Sequence, residues 1–96
     1  MIIVLGSVVI QAGQLAQALA LGQAHVARSR TEPGCLAHAV HQDIENPLKL
    51  VFVEQWADSA ALARHFKLAA SRDFVAALTA LAAEAPLMDI FDTVRV

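Results

Sequence analysis

The chain has 96 residues, of which 57% are hydrophobic and 17% charged. That is a one-domain length, and the apolar content excludes a disordered chain. Seven basic residues against nine acidic ones, a net charge of −2, exclude a basic nucleic-acid footprint and a polybasic membrane patch.

Residues 2–10, rich in Ile and Val, predict a first strand. Neither of its faces is polar: Ile3, Leu5, Ser7 and Val9 point one way, Ile2, Val4, Val8 and Ile10 the other. A strand apolar on both faces is covered on both sides. No basic residue precedes Arg28, so this start reads as a strand and not a signal peptide. No apolar run reaches the roughly 18 residues needed to span a bilayer.

Gly13 breaks the strand, and residues 14–29 take a helical period through Leu15, Leu19, Gly22 and Val26. Pro33-Gly34 makes a turn. Residues 35–44 then predict a second strand, with Leu36, His38, Val40 and Gln42 on one face and Cys35, Ala37, Ala39 and His41 on the other. Glu45-Asn46-Pro47 is a turn of hairpin length, and residues 48–56 form the third strand. Leu50, Phe52, Glu54 and Trp56 share a face of it.

Asp58 suits the N-cap of a short helix over 59–67. Ser71 suits the cap of another over 72–84, which Pro86 ends. Residues 87–95 alternate loosely and predict the last strand.

The order β-α-β-β-α-β, with the second helix broken in two, is the ferredoxin-like α+β plan: an antiparallel four-stranded sheet with helices on one face, in a single domain over 1–96. Helices enough for one face leave the other apolar face bare. Twenty alanines already make much of the apolar content small, and a domain this short buries only about 60–65% of its unfolded surface. A second copy of the same sheet is the simplest cover, so a homodimer closing into an α+β barrel is expected.

The common catalytic motifs are missing: there is no G-x-S-x-G, P-loop or G-x-G-x-x-G. One cysteine, Cys35, allows neither an intrachain disulfide nor a cysteine metal site. It reads as a packing residue and fits a reducing cytoplasm. Of the four histidines, His38 and His41 are three apart on a strand and point to opposite faces. No His-x-x-x-His pair sits on a helix, so no metal is expected.

Glu54, Trp56 and His65 remain. A lone tryptophan at the strand-to-helix junction is either a core anchor or the wall of a pocket for a flat ligand. His65, near the end of a short helix, is either a satisfied structural residue or a base, since an imidazole titrates near neutrality. About two turns separate it from the helix start, roughly 10 Å at 1.5 Å per residue, enough to return over the Phe52–Trp56 face.

The segments EPGC (32–35), DIENP (43–47) and VFVEQWADSAALARHF (51–66) are similar to those of the antibiotic biosynthesis monooxygenase family. The resemblance covers essentially the whole chain and implies a dimeric α+β barrel. It also implies oxygenation of a quinol- or anthrone-type aromatic by O₂ with no metal or flavin, because the substrate supplies the electrons. By that resemblance His65 and Trp56 are the catalytic candidates, as base and as wall or indole donor. Ser7, His38, Phe52, Glu54, Arg72 and Phe74 are the substrate-binding candidates, His38 a second possible base and Arg72 a partner for an anionic substrate.

The haem-degrading branch of the family combines a first-strand Asn with Trp and His. Ser7 stands at the expected place of that Asn, and its shorter hydroxyl does not replace an amide. Tyrosine is absent, which excludes mechanisms that use a tyrosine phenol. The alternative to an oxygenase is a non-enzymatic dimeric ligand-binding or structural protein of the same fold; a decarboxylase or isomerase is a third.

Overall fold

A computed structural model describes residues 1–96. Seven elements follow in order: β1 (Ile2–Val9), α1 (Leu15–Ser29), β2 (Cys35–Gln42), β3 (Lys49–Trp56), α2 (Ser59–Lys67), α3 (Ala69–Ala80) and β4 (Leu87–Asp92). The four strands form one antiparallel sheet in the order β2-β3-β1-β4. This is the expected ferredoxin-like α+β plan. No helix is long and apolar enough to cross a membrane.

Register and alternation fix which side chains meet the helices. Val4 pairs with Glu54, Gly6 with Phe52 and Val8 with Leu50, so the even residues of β1 and β3 share the covered face. Two apolar clusters form there. Val8, Ile10, Ala18, Val26, Leu50, Phe52 and Leu78 make one; Ile2, Val4, Trp56, Ala61 and Leu62 make the other.

The turns carry local chemistry. Gly13 and Gly34 take φ values of 86° and 83°, open to glycine at little cost. In the β2–β3 hairpin, Asp43 Oδ1 accepts from the Glu45 and Asn46 amides. Those two bonds hold the Asp43 carboxyl below its usual range. Asp58 caps α2 as expected, its carboxylate accepting from the Ala61 amide at 2.8 Å.

Three local expectations are corrected. Ser71 is not a cap: α3 begins at Ala69, after Leu68 breaks the helix by taking extended backbone angles (φ −65°, ψ 134°). Helix α3 also stops at Ala80, because the next backbone groups pair with the end of β1. Gln11 donates to the Leu81 carbonyl and Ala83 to the Val9 carbonyl. Finally, a bulge between Cys35 and Ala37 puts Cys35 opposite Trp56, on the helix side, against the alternation expected for β2. There Cys35 packs on the second cluster, and burial followed by the charges of Glu32 and Glu54 raises its thiol pKa.

The face away from the helices carries Leu5, Val51, Val53, Leu87 and Phe91, with Leu5, Leu87 and Phe91 exposed. Strand β4 is exposed along its whole length.

Candidate functional site

The inward face of β3 reads Leu50, Phe52, Glu54, Trp56. Its first two residues belong to one apolar cluster and the last to the other, so Glu54 lies on a seam between them. One step along this face, Phe52 pairs with Gly6 of β1, which has no side chain to fill the space. The buried polar residues are His25, Ser29, His38, Glu54, His65 and Ser71. Apart from Ser29, whose hydroxyl bonds the His25 carbonyl at 2.7 Å, they meet along this seam.

Four elements converge. Helix α1 supplies His25, β2 His38, β3 Glu54 and α2 His65. The ring centroids of His25 lie 5.2 Å from those of both His38 and His65, and His38 is 5.7 Å from His65. His25 stacks on Phe74 of α3 at 3.9 Å, nearly parallel.

The seam is held by carboxylates. Glu54 Oε1 accepts the Trp56 indole N–H at 2.9 Å and lies 3.3 Å from His38 Nε2. Burial pushes the Glu54 carboxyl up, but His38, the indole donor and the charge at His65 outweigh it and hold it below the usual range. His65 Nδ1 lies 2.8 Å from Glu32 Oε1 and 3.4 Å from the Ser71 hydroxyl. Both contacts fall on Nδ1, which leaves Nε2 free.

His25 differs from its neighbours. Burial, then the charges of His38, His65 and Arg28, lower its pKa from 6.5 to about 3 against an opposing pull from Glu54. It is therefore neutral near pH 7. Arg28 donates to its Nδ1 at 3.0 Å.

A cavity of about 400 Å³ opens beside the seam, within the range of small-molecule sites. His25, Glu54 and His65 line it on the polar side, and Phe52, Phe66, Phe74, Leu78 and Met88 supply apolar walls. Arg72, exposed, borders it from α3.

The expected residues divide between two places. His65, Glu54, Phe52, Phe74, Arg72 and Ser7 border the cavity. By alternation, however, the Ser7 side chain lies on the opposite face from Gly6 and Val8, with Leu5 and Val51. Trp56 and His38 stand behind the cavity and are not among its lining. Trp56 is fully buried in the second apolar cluster, its indole N–H is taken by Glu54, and its ring lies 4.6 Å from that of His65. Trp56 thus stands in the core with its N–H bonded inside the protein, and not in the cavity wall.

Sequence reasoning missed His25, Glu32 and Ser71. His25 follows Gly22 by three on the helix stripe that faces the sheet, a usable signal. A turn carboxylate aimed at a helix 33 residues away leaves none.

The comparisons with known proteins agree with this fold. Residues 1–77 match the antibiotic biosynthesis monooxygenase family. An uncharacterised protein of Synechocystis is 31% identical over 74 residues, which is 77% of this chain and 50% of that protein, so the chain spans about half the length of this curated relative. A crystal structure of an antibiotic biosynthesis monooxygenase superposes with a TM-score of 0.91 at 28% identity, over 99% of this chain and 100% of that one. A Pseudomonas aeruginosa structure gives 0.86 at 28%, over 98% and 94%. A Deinococcus radiodurans structure, with a TM-score of 0.95 at 23% identity over 100% and 95%, shares the fold. With the family match spanning both hairpin strands, the EPGC turn and the helix that carries His65, this chain belongs to the antibiotic biosynthesis monooxygenase family.

Proposed function

We propose that the protein oxygenates a hydroxylated aromatic of quinol or anthrone type with O₂, the substrate itself supplying the electrons and no cofactor taking part. The observation that carries this reading is the His65–Glu32 pair beside an apolar cavity. A carboxylate on Nδ1 fixes the proton there and presents Nε2 as an acceptor.

For an anthrone in its enol form, Nε2 takes the phenolic proton. The electron-rich ring carbon para to the resulting oxyanion then bonds one oxygen atom of O₂, and the proton returns to the distal oxygen to give a hydroperoxide. Loss of the remaining ring C–H proton, with cleavage of the O–O bond, leaves a new C=O and releases water. Both oxygen atoms and both electron pairs are accounted for. Phe52 and Phe74 flank a flat substrate, and Arg72 pairs with its anion.

The partner in this reading is a second copy, seated on the sheet face that bears Leu5, Val53 and Phe91. The lone thiol of Cys35 fits a cytoplasmic setting.

The test is turnover by the His65→Ala variant with a quinol or anthrone substrate. The proposal expects kcat to fall about 100-fold or more, as loss of a general base does. An unchanged kcat removes His65 from the chemistry. Tight binding of the same compounds by the wild type without turnover favours the ligand-binding protein instead.

A further inference from the structure

We propose that His25, His38 and His65 also form a binding site for one divalent transition-metal ion, and that its occupancy withdraws His65 from use as a base. The second half rests on the role proposed above for His65; the first half does not.

Three elements, α1, β2 and α2, bring one ring nitrogen each to within 4.8 Å of the others. With metal–nitrogen bonds of 2.0–2.1 Å, tetrahedral ligand atoms stand about 3.4 Å apart. The closure required is the size of a side-chain adjustment. All three rings are buried, at 4%, 2% and 3% exposure.

The second observation is an unmet demand. Neither ring nitrogen of His38 has a hydrogen-bond partner, although its side chain is fully enclosed. A buried polar ring without partners is unfavourable unless something else binds it. Glu54 stands near Nε2 without the geometry of a hydrogen bond.

The surroundings suit a dication. Glu32 on His65 Nδ1 is the carboxylate–histidine arrangement that orients a metal-ligating ring. The carboxylates of Glu32 and Glu54 stand at His65 and His38, facing the guanidiniums of Arg28 on His25 Nδ1 and Arg30 on the His38 carbonyl. His25 and His65 border the cavity, so a fourth position is open to water or a ligand. Three imidazoles with no thiolate favour zinc, cobalt, nickel or copper over calcium or magnesium.

Arg28 opposes binding. Its bond to His25 Nδ1 places the ring proton on Nε2, so neither nitrogen of His25 is free until Arg28 lets go. A metal on His65 Nε2 occupies the lone pair that would accept the substrate proton, so metal and base function exclude each other.

The experiment uses chelator-treated, desalted protein, titrated with cobalt(II) and followed by its visible ligand-field absorption, with zinc(II) followed by calorimetry and thermal shift. The proposal expects one ion per chain, a higher Tm with zinc, and loss of the cobalt band in His25→Ala. It expects binding weakened about 10- to 100-fold in Glu32→Gln and tightened in Arg28→Gln. His41→Ala, at an exposed position, controls for adventitious histidine binding and should bind as the wild type does. Should His25→Ala fail to fold, Arg28→Gln still decides, because an adventitious surface site would not tighten. No cobalt band at millimolar metal, or affinities unmoved by Arg28→Gln, overturns the site. Zinc should also suppress oxygenation reversibly. Oxygenation undiminished at saturating zinc overturns the exclusion. Oxygenation lost on chelation and restored by zinc overturns both the exclusion and the metal-free base reading.

Discussion

Trp56 shows how one side chain can serve the site without touching the cavity. Its ring fills the second apolar cluster while its N–H occupies the oxygen of Glu54 that faces His38. Replacing it with Phe keeps most of the volume but leaves a buried carboxylate short of a donor, which costs about 1–3 kcal/mol. For a 96-residue domain that is a fall in Tm of roughly 4–24 °C. Thermal unfolding of Trp56→Phe should show it, with KM changed less than stability. A variant as stable as the wild type but with a raised KM would return Trp56 to the pocket wall. Glu54, Trp56 and His65 were legible as a group because residues two apart on a strand share a face and a helix leaving that strand folds back over it. Which of them lines the cavity was not legible: that depends on where α3 packs, and no spacing rule encodes it.

At the scale of elements, the EPGC turn links β2 to α2. Glu32 reaches His65, and Gly34 lets α2 approach: a Cβ on Gly34 would stand 2.5 Å from the Cβ of Ala61. The φ of 83° adds a left-handed penalty of about 1–2 kcal/mol for any residue with a Cβ. Gly34→Ala should therefore lower the unfolding free energy by at least that strain, seen as a lower denaturation midpoint, and displace His65 from Glu32, reducing kcat as well. A midpoint equal to the wild type would mean that α2 is not held by this contact. Strand and helix order was readable from hydrophobic period alone, as was the Asp58 cap. The boundaries around α3 were not. Ser71 has the chemistry of a cap, but its hydroxyl turns inward to His65, and the helix starts two residues earlier without any side-chain cap. The β2 bulge, which moves Cys35 across the sheet, likewise leaves alternation intact on paper and broken in space.

The whole molecule is open where the sequence expected it to be. Its accessible surface of 5797 Å² exceeds the roughly 5,300 Å² of a compact monomer of 10.2 kDa. Leu5, Leu87 and Phe91 are among the exposed apolar side chains, uncovered on the bare sheet face. Light scattering at micromolar concentration should give about twice 10.2 kDa, and a charged residue at Leu5 should shift the species toward monomer. A monomer in the wild type would leave that face without its expected cover. In the proposed function, an apolar cavity holds a histidine base that lets the substrate reduce O₂ unaided. The direct measurement is oxygen uptake by chelator-treated wild-type protein given an anthrone. The expected result is one O₂ consumed per anthrone converted to the quinone, at a rate unaffected by chelator. No uptake above the uncatalysed rate, or uptake that requires an added metal or flavin, would contradict it.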